Sequence, residues 1–74
     1  MKIKIRLDTQ TEVYNLVGLA TGLSESVYLT DGANVRVSAK AILGTMYAKF
    51  DFSEIWLETE NEHYYLFKDF VVEE

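Results

Sequence analysis

Hydrophobic and polar residues alternate strictly at the start of the chain. Ile3, Ile5 and Leu7 share one face of residues 2–7, and lysine and arginine occupy the other face. This period of two is typical of a β-strand with one buried face and one face toward solvent. The pattern returns in three later segments, at residues 26–30, 34–38 and 54–60. The sequence therefore predicts four short strands.

After the first predicted strand, apolar residues recur at intervals of three and four. They are Val13, Leu16, Val17, Ala20 and Leu23. This spacing predicts an amphipathic helix, and Thr9 and Glu12 precede it at the spacing of a capping box. We expect Gly22 to end the helix as a left-handed cap. Gly18 is unfavourable within a helix by about 1 kcal/mol relative to alanine, and we expect it to serve close packing.

Residues 31–33 (Asp-Gly-Ala) join the second and third alternating segments. A short link that contains glycine predicts a β-hairpin between them. We expect one face of the hairpin to lie toward the core, namely Val27, Leu29, Val35 and Val37. The other face would lie outside, namely Tyr28, Thr30 and Arg36.

Residues 39–48 form a helix-prone apolar segment that contains Gly44. Ser38 is the best N-cap for this second helix by chemistry, whereas a family resemblance described below places the start near Ala41. We expect the helix to start near Ser38 or Ala39.

The remaining segments predict a connection, a strand and a helix. We expect Phe50 and Phe52 to tuck under neighbouring elements, and Ile55 and Leu57 to lie inward on the fourth strand. The outward residues of this strand would be Glu54, Trp56 and Glu58. A helical stripe follows, formed by His63, Leu66, Phe67, Phe70 and Val71, while Thr59 and Glu62 have the spacing of a second capping box.

The element order β-α-β-β-α-β-α predicts a single α+β domain over residues 1–74, with three helices on one face of an antiparallel sheet. A right-handed first crossover leaves room for the last strand between the first two, which gives the order 1-4-2-3. Lys4 and Arg6 on the first strand would then lie beside Glu54 and Glu58 on the fourth strand. Opposite charges across adjacent strands are modestly favourable.

Composition narrows the classes of function. The formal net charge of −5 disfavours sequence-independent nucleic-acid binding. The chain lacks cysteine, and no apolar segment approaches the roughly 20 residues that cross a bilayer. We therefore expect a cytoplasmic protein without nucleic-acid or membrane partners. Met1, followed at once by a strand, favours a whole gene product.

Residues 37–46 contain a short specific motif, formed by Val37, Lys40, Ile42, Leu43, Gly44 and Met46. It resembles the segment of the bacterial HPr phosphocarriers in which a strand leads into the second helix. The resemblance implies the same α+β fold. It also places Ala41 where that family has its regulatory serine, the residue that HPr kinase phosphorylates.

HPr proteins transfer a phosphoryl group on a histidine at the start of the first helix. The resemblance places Thr9 at that histidine, Thr11 at the following arginine and Glu12 at the proline. Both phosphorylated residues of the family are thus replaced, so we expect no phosphocarrier activity by the usual route. His63, the single histidine, could be a phosphoacceptor or a general base, but we expect a partly packed residue in the first turn of the last helix. We expect no enzymatic activity, metal site or cofactor.

Two surface features are candidates for binding. Ile42, Leu43, Met46 and Tyr47 correspond to the apolar patch with which HPr proteins dock Enzyme I, HPr kinase and the catabolite-control regulator, although they could instead complete a small core. Tyr28 and Trp56 on the open face of the sheet could form a second interface, but we favour cross-strand stabilisation of the sheet.

The sequence therefore predicts a non-catalytic HPr-like module that binds a protein of the sugar phosphotransferase system or a regulatory protein. One alternative is an active phosphocarrier with a non-standard acceptor, Thr9 or His63. Another is a small self-associating structural domain. We expect a monomer or a weak homodimer.

Overall fold

Four strands and three helices follow one another in the predicted order in the computed structural model, which describes residues 1–72. A short 3-10 turn, Lys68–Phe70, follows the last helix directly. In chain order the elements are β1 (Lys2–Ile5), α1 (Gln10–Thr21), β2 (Tyr28–Thr30), β3 (Arg36–Ser38), α2 (Ile42–Asp51), β4 (Ile55–Glu58) and α3 (Tyr64–Phe67).

The strands form one antiparallel sheet in the order β1-β4-β2-β3, which confirms the predicted α+β fold and strand order. Lys4 lies opposite Trp56, and its Nζ is 3.7 Å from Glu54 Oε2, as expected. The second expected pair is wrong. Arg6 contacts Asp8 at 2.8 Å, because the chain leaves the sheet after Ile5 and brings Asp8 within its reach. Glu58 instead contacts Arg36 of β3 at 3.3 Å.

The core lies between the sheet and the helices. In most strands, the residues that the alternating pattern predicts to face inward are buried in it. Its buried members include Ile5, Leu7, Val13, Leu16, Ala20, Val27, Leu29, Ile55, Leu57, Phe67 and Phe70. Val35 and Val37 are only half-buried, because β3 is an edge strand. Thr30, expected outside, is buried, and its Oγ1 accepts a hydrogen bond from the Gly32 N–H.

The capping box of α1 is confirmed, and Gly22 ends the helix as expected, but its predicted left-handed conformation and the close packing predicted at Gly18 are both wrong. Gly22 is the C-cap in a right-handed conformation, with φ of −71°, because its N–H still bonds to carbonyls of the last helical turn. A Cβ at Gly18 would meet no atom within 4 Å, so close packing does not explain this glycine. Among residues 1–72, positive φ occurs only at Gly32 in the hairpin turn, at 84°.

Helix α2 begins at Ile42 with Ala41 as its N-cap, so the expected start near Ser38 or Ala39 is wrong. Sheet pairing continues past Ser38, since the Ala39 N–H donates to the Val27 carbonyl at 2.8 Å. Ser38 Oγ accepts the Lys40 N–H within the turn that follows. A helix cannot start where the backbone is still paired in the sheet.

Phe52 packs against the core as expected, but Phe50 lies on α2 and is 73% exposed, so that half of the prediction is wrong. The expectation that helix continues to Val71 is also wrong. Val71 pairs with Ile5 at the edge of β1, where the Arg6 N–H donates to the Phe70 carbonyl at 2.9 Å. The edge strand has backbone groups to pair, and the β-branched valines suit extended structure.

The second predicted capping box, Thr59 with Glu62, does not form. Thr59 Oγ1 donates to the Asn61 carbonyl at 2.6 Å instead. The residue before α3 is His63, and its side chain makes no capping hydrogen bond. The loop after β4 is held by hydrogen bonds to Glu25 and Met1 as well as by the Thr59 contact. The last helix therefore starts four residues later than a cap at Thr59 would place it.

Candidate functional site

Thr9 lies at the start of α1, where the resemblance places the phosphoacceptor histidine. Its Oγ1 accepts the Glu12 backbone N–H at 3.1 Å and donates to Glu12 Oε1 at 3.3 Å. Glu12 Oε1 also accepts the backbone N–H groups of Asp8 and Thr9, at 2.9 and 3.0 Å. These hydrogen bonds therefore engage the Thr9 hydroxyl and three backbone amides at the start of the helix, those of Asp8, Thr9 and Glu12.

The charge of Glu12 determines what else this helix start can bind. The hydrogen bond from the Asp8 N–H, followed by those from Thr9, holds the pKa of the Glu12 carboxyl below its ordinary value. The carboxylate is therefore ionised at neutral pH and favourably placed at the positive end of the helix dipole. A phosphoryl group at Thr9 would place a second negative charge beside it. Thr9 and Thr11, which the resemblance aligns with the histidine and arginine of HPr proteins, are both exposed.

Ala41, which the resemblance aligns with the regulatory serine, is the exposed N-cap of α2. Its backbone is extended, with φ of −105° and ψ of 124°, and its carbonyl accepts the Thr45 N–H at 2.9 Å. The alanine side chain has no hydroxyl, so it neither caps the helix nor offers a phosphorylation site.

The predicted binding residues of α2 lie on one face of the helix, and the structure adds a fifth. We define the α2 patch as Ile42, Leu43, Met46, Tyr47 and Phe50. Leu43 is 83% exposed, Phe50 is 73% exposed, and Met46 is half-buried against the core. Phe50 lies seven residues after Leu43, a spacing that could have identified it, but the sequence analysis assigned it to the connection after the helix.

The α2 patch reaches the first turn of α1. Met46, Lys49 and Phe50 line a hollow of about 140 Å³ together with Gln10 and Val13 of α1. The Lys49 Nζ lies 4.5 Å from the centre of the Phe50 ring, which adds one positive charge to the patch. The structure thus brings the α2 patch beside the helix start that contains Thr9.

Tyr28 and Trp56 lie on the open face of the sheet, on the two central strands. Both are half-buried beneath charged neighbours: the Arg36 guanidinium lies 3.9 Å from the Tyr28 ring centre, and the Lys2 Nζ lies 5.8 Å from the Trp56 ring. Trp56 Nε1 also donates to Glu54 Oε1 at 3.0 Å. The contacts with Arg36 and Lys2 join neighbouring strands, as expected of cross-strand stabilisation, whereas the Glu54 bond lies within one segment.

His63 forms a pair that the sequence analysis missed. Its Nε2 lies 3.1 Å from Glu25 Oε2, and the same carboxylate accepts hydrogen bonds from the Glu60 N–H and from Asn61. These contacts lower the pKa of Glu25 to about 2, with the Asn61 side chain as the largest cause. The partners are more than 30 residues apart in the chain, so no local pattern could have revealed them.

Residues 1–72 contain neither a cluster of metal-binding side chains nor a membrane-spanning helix. No three His, Asp or Glu side chains of this range are grouped so that they could hold a metal ion. No helix in the same range has the length and apolarity that crossing a membrane requires. Comparison of the chain with protein-family models, with curated proteins and with solved structures finds no match in any of the three.

Proposed function

We propose that this chain is a cytoplasmic, non-catalytic HPr-like module that binds a protein through the α2 patch. The observation that supports this most strongly is the exposure of large apolar side chains along α2. Leu43 and Phe50 bury little of their surface in the fold. Clustered apolar residues of this kind on a small domain are typical of a surface that binds another protein.

The position of the patch supports a relation to the phosphotransferase system. In HPr proteins the corresponding surface adjoins both phosphorylated residues and docks Enzyme I, HPr kinase and the catabolite-control regulator. Here the patch shares a hollow with the first turn of α1 and begins directly after Ala41. The module would occupy HPr-binding surfaces of such partners without receiving a phosphoryl group.

Two alternatives receive less support. A phosphocarrier would have to use Thr9, whose hydroxyl is engaged by Glu12, or His63, whose Nε2 contacts Glu25. The sheet face predicted for self-association contains Tyr28 and Trp56, whose rings already contact Arg36 and Lys2. Leu43 of the α2 patch is 83% exposed and is not covered in this way by any side chain of residues 1–72.

The test is competition with a genuine HPr protein for Enzyme I and for HPr kinase, measured by fluorescence anisotropy of labelled HPr. The wild-type chain should displace the labelled HPr from at least one of the two proteins. Leu43→Asp should weaken the displacement by about tenfold or more, because a carboxylate would be buried without a partner in the complex.

Tyr65→Asp is the matched control for this experiment. Tyr65 is 84% exposed, nearly the same as Leu43, and lies on α3 outside the α2 patch. The Tyr65→Asp variant should displace labelled HPr as the wild-type chain does. The proposal fails if the wild type displaces HPr from neither protein, or if the two aspartate variants are weakened equally.

A further inference from the structure

A second surface lies on the other side of α1. We define the α1 groove as the hollow of about 620 Å³ between α1 and the C-terminal 3-10 turn. It is lined by Glu12, Tyr14, Asn15, Gly18, Leu19, Asp69 and Phe70. Of these residues, only Glu12 belongs to the helix start discussed above, and none belongs to the α2 patch.

The floor of the groove is apolar and open. Leu19 and Phe70 pack against the core and present their remaining surface to the groove, and Tyr14 is 48% exposed beside them. Between them Gly18 leaves the backbone of α1 uncovered, with no atom within 4 Å of where its Cβ would be. A partner side chain can therefore approach the helix closely at this point.

The rim of the groove is acidic, and neither of its carboxylates forms an ion pair within residues 1–72, although Arg6 lies near enough to help lower the pKa of Glu12. No lysine or arginine nitrogen of that range lies within 4 Å of the carboxylate of Glu12 or Asp69. Glu12 uses Oε1 in the capping box, and its Oε2 accepts no hydrogen bond from the described residues. The whole chain has a net charge of −5, so a cationic partner is attracted over a longer range as well.

We propose that the α1 groove binds a basic segment of a partner protein, in which an arginine contacts Glu12 and Asp69 and a neighbouring apolar side chain covers Gly18 and Leu19. Arginine suits this site because its guanidinium pairs with carboxylates and stacks on aromatic rings such as that of Tyr14. The apolar floor favours a peptide segment over a small free amine, which would leave that floor uncovered.

The test uses a defined probe, the peptide acetyl-Leu-Arg-Leu-Arg-amide, titrated into the ¹⁵N-labelled chain at low salt. Saturable amide shifts should appear at Asn15, Gly18 and Leu19, with a Kd at or below about 1 mM. The acidic peptide acetyl-Leu-Glu-Leu-Glu-amide should produce no such shifts. Raising the salt concentration should weaken binding of the basic probe, because the contacts with the rim are between exposed charges.

Two variants with matched controls locate the site. Asp69→Asn should weaken binding about threefold to fivefold, whereas Asp51→Asn, which removes an exposed carboxylate on α2, should change it little. Gly18→Gln should abolish binding by filling the floor, whereas Thr11→Gln, exposed on the same helix outside the groove, should not. The proposal is wrong if no saturable shifts occur, if both peptides bind equally, or if the shifts map to the α2 patch.

Discussion

Two carboxylates, those of Glu12 and Glu25, each accept several hydrogen bonds where a segment of chain begins or ends. Glu12 closes the start of α1 together with Thr9. Glu25 joins the loop after α1 to the loop before α3, through Asn61 and His63. Because donors surround each carboxylate, its ionised form is favoured and the pKa of each is lowered.

The Glu25 cluster makes stability depend on pH. The folded-state pKa is about 2, below the ordinary value of 4.5, so the stabilisation is complete above about 4.5 and is lost as the pH falls toward 2. Glu25→Gln should lower the free energy of unfolding at neutral pH. Its difference from the wild type should shrink as the pH falls through that interval, as measured by urea unfolding followed by circular dichroism.

Glu60→Gln is the control for this pH series. The Glu60 side chain is exposed and makes no hydrogen bond within residues 1–72, although its backbone N–H donates to Glu25. Its difference from the wild type should stay small at every pH. A Glu25→Gln curve that runs parallel to the wild-type curve from neutral to acid pH would contradict the role assigned to this cluster.

At the scale of elements, local patterns predicted α1 well and the ends of the other helices poorly. The spacing of Thr9 and Glu12 defines the start of α1 because a capping box involves only neighbouring residues. The start of α2 and the end of α3 depend on the sheet instead. Ala39 still pairs with Val27, and Val71 pairs with Ile5. Helical periodicity contains no information about such pairings, so it could not predict these helix ends.

The two helical glycines should respond differently to the same substitution. Gly18→Ala should stabilise the fold by about 1 kcal/mol, since alanine is the better helix former and nothing obstructs its methyl group. Gly44→Ala should not gain this amount, because its Cβ would lie 3.3 Å from the Ser38 carbonyl oxygen and 3.4 Å from Val37 Cβ. Urea unfolding of both variants tests the comparison, and an equal gain in each would contradict it.

At the scale of the whole molecule, the sheet order could be predicted because alternation fixed four strands and a right-handed crossover left one place for the last of them. The ion pair between Lys4 and Glu54 followed from that order. The α2 patch was predicted from helical spacing and resemblance, apart from Phe50. The α1 groove was not, since it depends on Asp69 and Phe70 returning beside α1 after the chain has crossed the sheet.

The exposed groups of the molecule support the proposal that it binds a partner and does not transfer a phosphoryl group. An ionised Glu12 accepts the N–H groups of Asp8 and Thr9 beside the start of α1, where its charge disfavours a second anion. Ala41, which precedes α2, has no hydroxyl to modify. The large side chains exposed on α2 are available to a partner. These contacts support our proposal that the chain is an HPr-like module that binds a protein through the α2 patch and receives no phosphoryl group.

The intact mass of the chain after incubation with phosphoenolpyruvate and Enzyme I tests this claim most directly, with a genuine HPr protein in the same reaction. Alkaline buffer and rapid handling are required, because phosphohistidine is labile in acid. We expect the HPr protein to gain one phosphoryl group and this chain to gain none. A stoichiometric gain by this chain would contradict the account and would direct attention to Thr9 and His63 as acceptors.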